Sequence, residues 1–249
     1  MRFALSIIGL ATAAVSVFGF SFSSLVIDRL GSTPNGTYAP GYVQCPSDFG
    51  LRPAVGLSPN ETAWLQKRRE NIVNALTSYL SLANLTDFNT TAYIVNITSN
   101  ASYVPTSAMA ISGGGYDSCL NGLGAYQAMD ARYPPAVGAR TGGLAQCLTY
   151  IMGLSGGSFA VTTLAANNFP TVEQLVPVWN TTVNTFVGPN VSNVDSYYAG
   201  IFQDIGEKAE MGFNVSISDV LGRLFSFEFV EGPDGGVSKT YSDIQVSHI

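Results

Sequence analysis

The sequence is short of charge, nearly without histidine and odd in its cysteines, and each shortage removes a class of function. Charged residues are 11% of its 249 positions, less than half of the roughly one quarter usual in soluble domains. Eleven lysines and arginines against 17 aspartates and glutamates give a net charge of -6. Outside Lys67-Arg68-Arg69 no basic cluster exists to neutralise phosphates, so nucleic acid is not an expected partner. That triplet reads as a solvated helix face. The single histidine, His248, is the penultimate residue, which argues against a Ser-His-Asp triad within the chain and against a zinc site. No metal-ligand spacing appears, and neither metal nor cofactor is expected.

Three cysteines, Cys45, Cys119 and Cys147, leave one unpaired in an oxidising compartment. Gln44-Cys45-Pro46 has the loop setting of a disulfide to chain beyond residue 249. Cys119 and Cys147 have the apolar surroundings of inert core thiols.

The chain does have an export signature. Met1-Arg2 followed by the apolar run from Phe3 to Phe20 has the order of a secretory signal peptide, and the run is barely long enough to span a bilayer before Ser21, Ser23 and Ser24 break it. Removal of residues 1–20 leaves no expected transmembrane span in the mature chain. Asn-x-Ser/Thr occurs at Asn35, Asn60, Asn84, Asn89, Asn96, Asn100, Asn180, Asn190 and Asn214, a density that fits a secreted glycoprotein, free or held at the cell surface or wall.

With 46% hydrophobic residues the chain can bury one sizeable core. Gly31 to Pro59 reads as an extended lead-in. Ser58-Pro59-Asn60-Glu61 predicts a helix to about Leu82, with Ser58 as N-cap, Pro59 at the first helical position and Glu61 closing a capping box. Val104 to Ile111 reads as a buried strand, followed by a glycine turn and a helix whose periodic face runs from Leu120 to Met129. Leu148 to Leu154 reads as a second strand, again ending in glycines, with a small-sided helix from Phe159 to Ala166. Strand, glycine turn and helix repeated in this way predict parallel βαβ units in an α/β fold, with the chemistry at the strand carboxyl ends. Val172 to Phe186, Tyr197 to Met211 and Ile217 to Phe227 look helical, and the chain from Gly232 onward looks rich in turns.

Gly153-Leu154-Ser155-Gly156-Gly157 fits G-x-S-x-G, the strand-to-helix elbow that lifts a nucleophilic serine out of a sheet. Ser112-Gly113-Gly114-Gly115 has the form of an oxyanion hole, because three glycines before a helix expose consecutive backbone N–H groups at its positive end. The competing reading is a nucleotide loop, but Ser118 stands where G-x-G-x-x-G needs its third glycine, and no G-K-[ST] occurs. A serine hydrolase without histidine can use a buried aspartate as its base. Asp234 in Gly232-Pro233-Asp234-Gly235-Gly236 is one candidate, although the segment also reads as an ordinary turn.

At this point the chain resembles the fungal lysophospholipase and phospholipase B family, relatives of cytosolic phospholipase A2 and the patatins. The matching stretches are Tyr38-Ala39-Pro40 with Cys45-Pro46-Ser47, Leu51-Arg52-Pro53-Ala54, Leu57-Ser58-Pro59-Asn60-Glu61 with Trp64, Ser112-Gly113-Gly114-Gly115-Tyr116, Leu120-Asn121-Gly122 and Gly153-Leu154-Ser155-Gly156-Gly157-Ser158.

The resemblance implies a patatin-like α/β core with a mainly parallel central sheet flanked by helices, incomplete at its C-terminal side. With residues 1–20 expected as signal and 21–37 as exposed lead-in, it implies 38–249 as the N-terminal part of a catalytic domain. It also implies a Ser/Asp dyad that hydrolyses fatty-acyl esters of phospholipid or lysophospholipid at a lipid interface or micelle. Ser155 matches the nucleophile and Gly113, Gly114 and Gly115 the oxyanion hole, while the catalytic aspartate is expected beyond residue 249. Two departures stand out. Asp117 occupies a position where the family usually carries arginine, and Phe159 one where it often carries tryptophan. The alternative is a truncated, inactive secreted glycoprotein that keeps the hydrolase fold.

Overall fold

A computed structural model describes residues 37–42, 44, 51–179, 184–188, 191–237 and 239. The expected signal peptide, Asn35, Cys45, Asn180, Asn190 and His248 lie outside them. The described residues divide into two compact units: 51–179 with 229–231 and 239, and 37–42 and 44 with 184–188, 191–228 and 232–237.

In the larger unit the first helix, α1, is Pro59–Ala83. The Ser58 hydroxyl accepts from the Glu61 N–H at 3.1 Å, and Pro59, which has no N–H to waste, starts the first turn. The expected capping box is half made, because the Glu61 carboxylate accepts from the Tyr150 hydroxyl at 2.9 Å. Asn84 ends the helix in the left-handed conformation, which asparagine tolerates. Leu65, Arg68, Ile72 and Leu80 are buried. Arg68 therefore corrects the expectation of a solvated basic face: its guanidinium donates to the carbonyls of Gln146 and Leu148, just before the second strand. α2, Thr90–Ser99, is capped by the Asn89 side chain and buries Ile97.

Strand β1, Ala108–Ile111, and strand β2, Tyr150–Gly153, form a parallel pair in the register Ala108↔Tyr150 to Ile111↔Gly153. β1 is shorter than the sequence suggests because Pro105 has no N–H for a ladder. The crossover between the strands carries α3, Gly115–Gln127, and α4, Pro134–Gly138. After β2 come α5, Gly156–Ala166, and α6, Val172–Leu175. The architecture is thus helix-rich α/β with a small parallel sheet.

The helix expected over Val172 to Phe186 ends at Leu175. Pro177 cannot donate back to a carbonyl one turn earlier. The chain instead turns to bring Trp179 inward, where its indole N–H donates at 3.0 Å to the buried Thr163 hydroxyl. That hydroxyl donates in turn to the Phe229 carbonyl at 2.8 Å.

The smaller unit is built on α7, Val194–Glu210, and α8, Ile217–Phe229, the last residue of which belongs to the larger unit. Ile201, Ile205, Val220 and Leu224 form its core, with Tyr38, Tyr197 and Phe227 packed against it. The Tyr38 hydroxyl donates to Asp219 at 2.8 Å, Lys208 pairs with Asp219, and Arg223 pairs with Asp204 at 2.8 Å.

The sequon asparagines among the described residues, Asn60, Asn84, Asn89, Asn96, Asn100 and Asn214, are all exposed. Among the described residues no helix is long and apolar enough to cross a membrane.

Candidate active site

Parallel pairing sets the carboxyl ends of β1 and β2 side by side, Ile111 beside Gly153. The Leu154 N–H donates to the Ile111 carbonyl at 3.0 Å, so the two turns that follow leave the sheet together. One is Ser112–Gly115, opening α3. The other is Leu154–Ser155, opening α5.

The second turn is strained. Ser155 has φ 51° and ψ -118°, a conformation that a non-glycine residue holds only when its surroundings impose it. They do so by close backbone approach: a Cβ on Gly153 would lie 2.1 Å from the Gly157 carbonyl oxygen, and one on Gly156 would lie 2.0 Å from the Gly115 carbonyl oxygen. Neither position can carry a side chain. The result is an exposed serine hydroxyl at the mouth of the sheet.

The first turn lies against that serine. A Cβ on Gly113 would stand 3.1 Å from Ser155 Cβ and 3.7 Å from Ser155 Oγ. Gly114 caps α3 with φ 147° and provides no side-chain hydrogen bond, and Ser155 provides none at the start of α5. In contrast, α1, α2 and α6 are capped by Ser58, Asn89 and Thr171 side chains. The first N–H groups of α3 and α5 are therefore not taken by a capping side chain, and both helices direct their positive ends to the strand termini. Such an arrangement can stabilise negative charge that develops beside Ser155 Oγ.

Of the other sequence candidates, Asp117 is exposed in the first turn of α3. There its charge favours the helix dipole but opposes a second anion at the same helix end. Asp234 is an exposed turn residue of the smaller unit with φ 49°, and its main-chain carbonyl accepts from Arg223 at 2.8 Å. Among the described residues no side chain is hydrogen-bonded to Ser155 Oγ. Cys119 and Cys147 are buried and not in a disulfide, and burial pushes the Cys147 thiol up to about 11.

Two arrangements near the turns were not legible in the sequence. The Ser118 hydroxyl donates to the Ser112 carbonyl, and the Ser158 hydroxyl to the Ser155 carbonyl. A serine in the first turns of each glycine-led helix is the only signal of them. Behind the turns, Tyr116, Phe159 and Trp179 gather around Phe229 at centroid distances of 5.8, 5.1 and 5.9 Å. The distance of Phe229 in sequence hid that cluster.

Residues 107–249 match the family described as the lysophospholipase catalytic domain. The chain belongs to that family. Within the lysophospholipase catalytic domain the match starts at Ser107, whose carbonyl accepts from Thr149 and Tyr150 N–H at 2.8 and 3.1 Å, so both strand-turn-helix units fall inside it. The chain is 36% identical over 230 residues to lysophospholipase 1 of Aspergillus fumigatus, covering 88% of this chain and 36% of that protein. It is 39% identical over 228 residues to lysophospholipase 2 of the same organism, covering 88% and 39%. To lysophospholipase 2 of Saccharomyces cerevisiae it is 39% identical over 235 residues, covering 89% and 33%. The chain thus spans between a third and two fifths of the length of these relatives. No solved structure matches it.

Proposed function

We propose that this chain supplies the nucleophile and oxyanion hole of a lysophospholipase or phospholipase B, a carboxylic ester hydrolase acting on fatty-acyl esters of phospholipid or lysophospholipid. The single observation that carries the reading is that Gly113 lies so near a strained, exposed Ser155 that a Cβ on it would crowd the serine side chain, between two helix starts that no side chain caps.

Ser155 Oγ attacks the acyl carbonyl while its proton passes to an aspartate outside the described residues. The tetrahedral oxyanion is held by backbone N–H groups of the Gly113 to Gly115 turn. Collapse expels the alcohol of the glycerol backbone, which takes the proton back from the aspartic acid, and leaves an acyl-enzyme. Water, deprotonated by the same aspartate, attacks that ester, and its collapse releases the fatty acid and restores Ser155. Nothing in this cycle calls on a metal or cofactor.

The substrate meets the site at a lipid interface or micelle, a reading supported by the exposure of Leu154 and Met152 beside the nucleophile. The protein is secreted and glycosylated, supported by the exposure of every described sequon asparagine. Asp117 favours a second reading, an inactive glycoprotein that retains the fold, because its carboxylate opposes a phosphate-bearing ligand at the α3 start.

Fatty-acid release from micellar lysophosphatidylcholine, measured on protein that includes the segment carrying the aspartate, separates the two. Release that disappears in Ser155→Ala supports the hydrolase; no release, or release that survives the substitution, sinks it.

A further inference from the structure

The Ser118 hydroxyl donates to the Ser112 carbonyl from the first turns of α3. We propose that Ser118 is a positioning residue that sets the orientation of the oxyanion donor at Gly113; the inference rests on the hydrolase reading of Ser155.

The reason lies in one peptide group. The Ser112 carbonyl and the Gly113 N–H belong to the same planar unit and point in opposite directions. Whatever holds the carbonyl holds the donor. Rotation of that plane would present a carbonyl oxygen, in place of an N–H, to the charge forming beside Ser155 Oγ. Such rotation is easy in a run of three glycines, where side chains do not restrict the dihedral angles. Gly114 and Gly115 have φ of 147° and 64°, so the turn already lies where glycine alone moves freely.

Ser118 removes that freedom. It belongs to the helix that the turn opens, so its hydroxyl is anchored on a regular element while it grips the turn from behind. Contact is close in a second respect, since a Cβ on Gly114 would lie 3.3 Å from Ser118 Cβ. The other turn has the same device, with the Ser158 hydroxyl donating to the carbonyl of Ser155. In both, a hydroxyl from the helix that follows holds a carbonyl of the turn.

The test compares wild-type protein that includes the aspartate-bearing segment with its Ser118→Ala and Ser118→Thr variants in the rate at which a fluorophosphonate ester modifies Ser155, resolved into the maximal rate and the half-saturating probe concentration. Modification passes through pentacoordinate phosphorus, from which fluoride leaves, and the negative charge that develops on the phosphoryl oxygen faces the same donors, so the maximal rate reports the donor. In Ser118→Ala it is expected to fall about tenfold with half-saturation and melting temperature unchanged, and Ser118→Thr, which keeps the hydroxyl, to recover most of the loss. Unaltered modification of Ser118→Ala overturns the proposal, as does a loss accompanied by a matching fall in melting temperature, which is the mark of a structural role. Absence of modification in the wild type overturns the hydrolase reading and this inference with it, whereas a wild type that reacts with an unaffected alanine variant removes the inference alone.

Discussion

Gly113 leaves room for no side chain beside Ser155: a Cβ on the glycine would stand 3.1 Å from the serine Cβ and 3.7 Å from its Oγ. The two residues come from different strand-turn-helix units and meet because β1 and β2 pair in parallel with Ile111 beside Gly153. On the proposed mechanism, a side chain at 113 would fill space that the acyl carbonyl needs beside Oγ.

Gly113→Ala is therefore expected to slow acylation of Ser155 by about a hundredfold while shifting the melting temperature by less than about 4 °C. Labelling kinetics beside a thermal melt check this. An alanine variant that reacts at the wild-type rate would show that the turn does not border the reacting atoms.

Gly156 is held by packing. A Cβ there would lie 2.0 Å from the Gly115 carbonyl oxygen, and backbone cannot step aside as a flexible side chain would. Gly156→Ala is expected to cost about 3 kcal/mol and to lower the melting temperature by about 6–12 °C. Gly124, exposed in α3 with nothing near its Cβ position, is the control: Gly124→Ala is expected to be neutral or to stabilise by up to about 1 kcal/mol.

Much of this was legible locally. Ser58-Pro59 marks the start of α1 because cap and proline act within one turn. The two glycine turns mark the carboxyl ends of β1 and β2 because only glycine tolerates such approach of backbone to backbone. What the sequence hid was tertiary. Arg68 sits between charged neighbours yet is buried, since carbonyls nearly eighty residues on need its guanidinium. Glu61 leaves its capping box for Tyr150. α6 ends at Leu175, short of the expected Phe186, because Pro177 forbids its continuation.

Asp130 is buried and accepts from the Arg132 side chain and N–H and from Gln146. Burial alone would raise its pKa, but these hydrogen bonds outweigh it and hold the carboxyl below its ordinary 3.8. The folded value lies below the unfolded one, so the stabilisation is present above 3.8 and lost as the pH falls through the folded value. Asp130→Asn is expected to destabilise by about 2 kcal/mol at neutral pH, with the difference from wild type shrinking in acid. Urea melts across the acid range check both the size and the direction.

Tyr38 shows the opposite sign. Burial first, then its hydrogen bond to Asp219, pushes its hydroxyl up to about 12 from an ordinary 10.0. Its contribution is fully present below 10.0 and lost as the pH rises toward 12. Tyr38→Phe is expected to cost about 1 kcal/mol at neutral pH. Absorbance titration of phenolate should show Tyr38 and Tyr197, also pushed up to about 12, ionising last, with one such group fewer in the variant.

The central claim is that Ser155 is a nucleophile, and covalent trapping tests it most directly. Protein that includes the aspartate-bearing segment is treated with a fluorophosphonate ester, digested, and the adduct located by mass spectrometry. One phosphonyl group on the peptide containing Ser155, absent after Ser155→Ala and after heat denaturation, is the expected result. An unmodified Ser155 in the folded protein, or a label carried elsewhere that persists in Ser155→Ala, would contradict it.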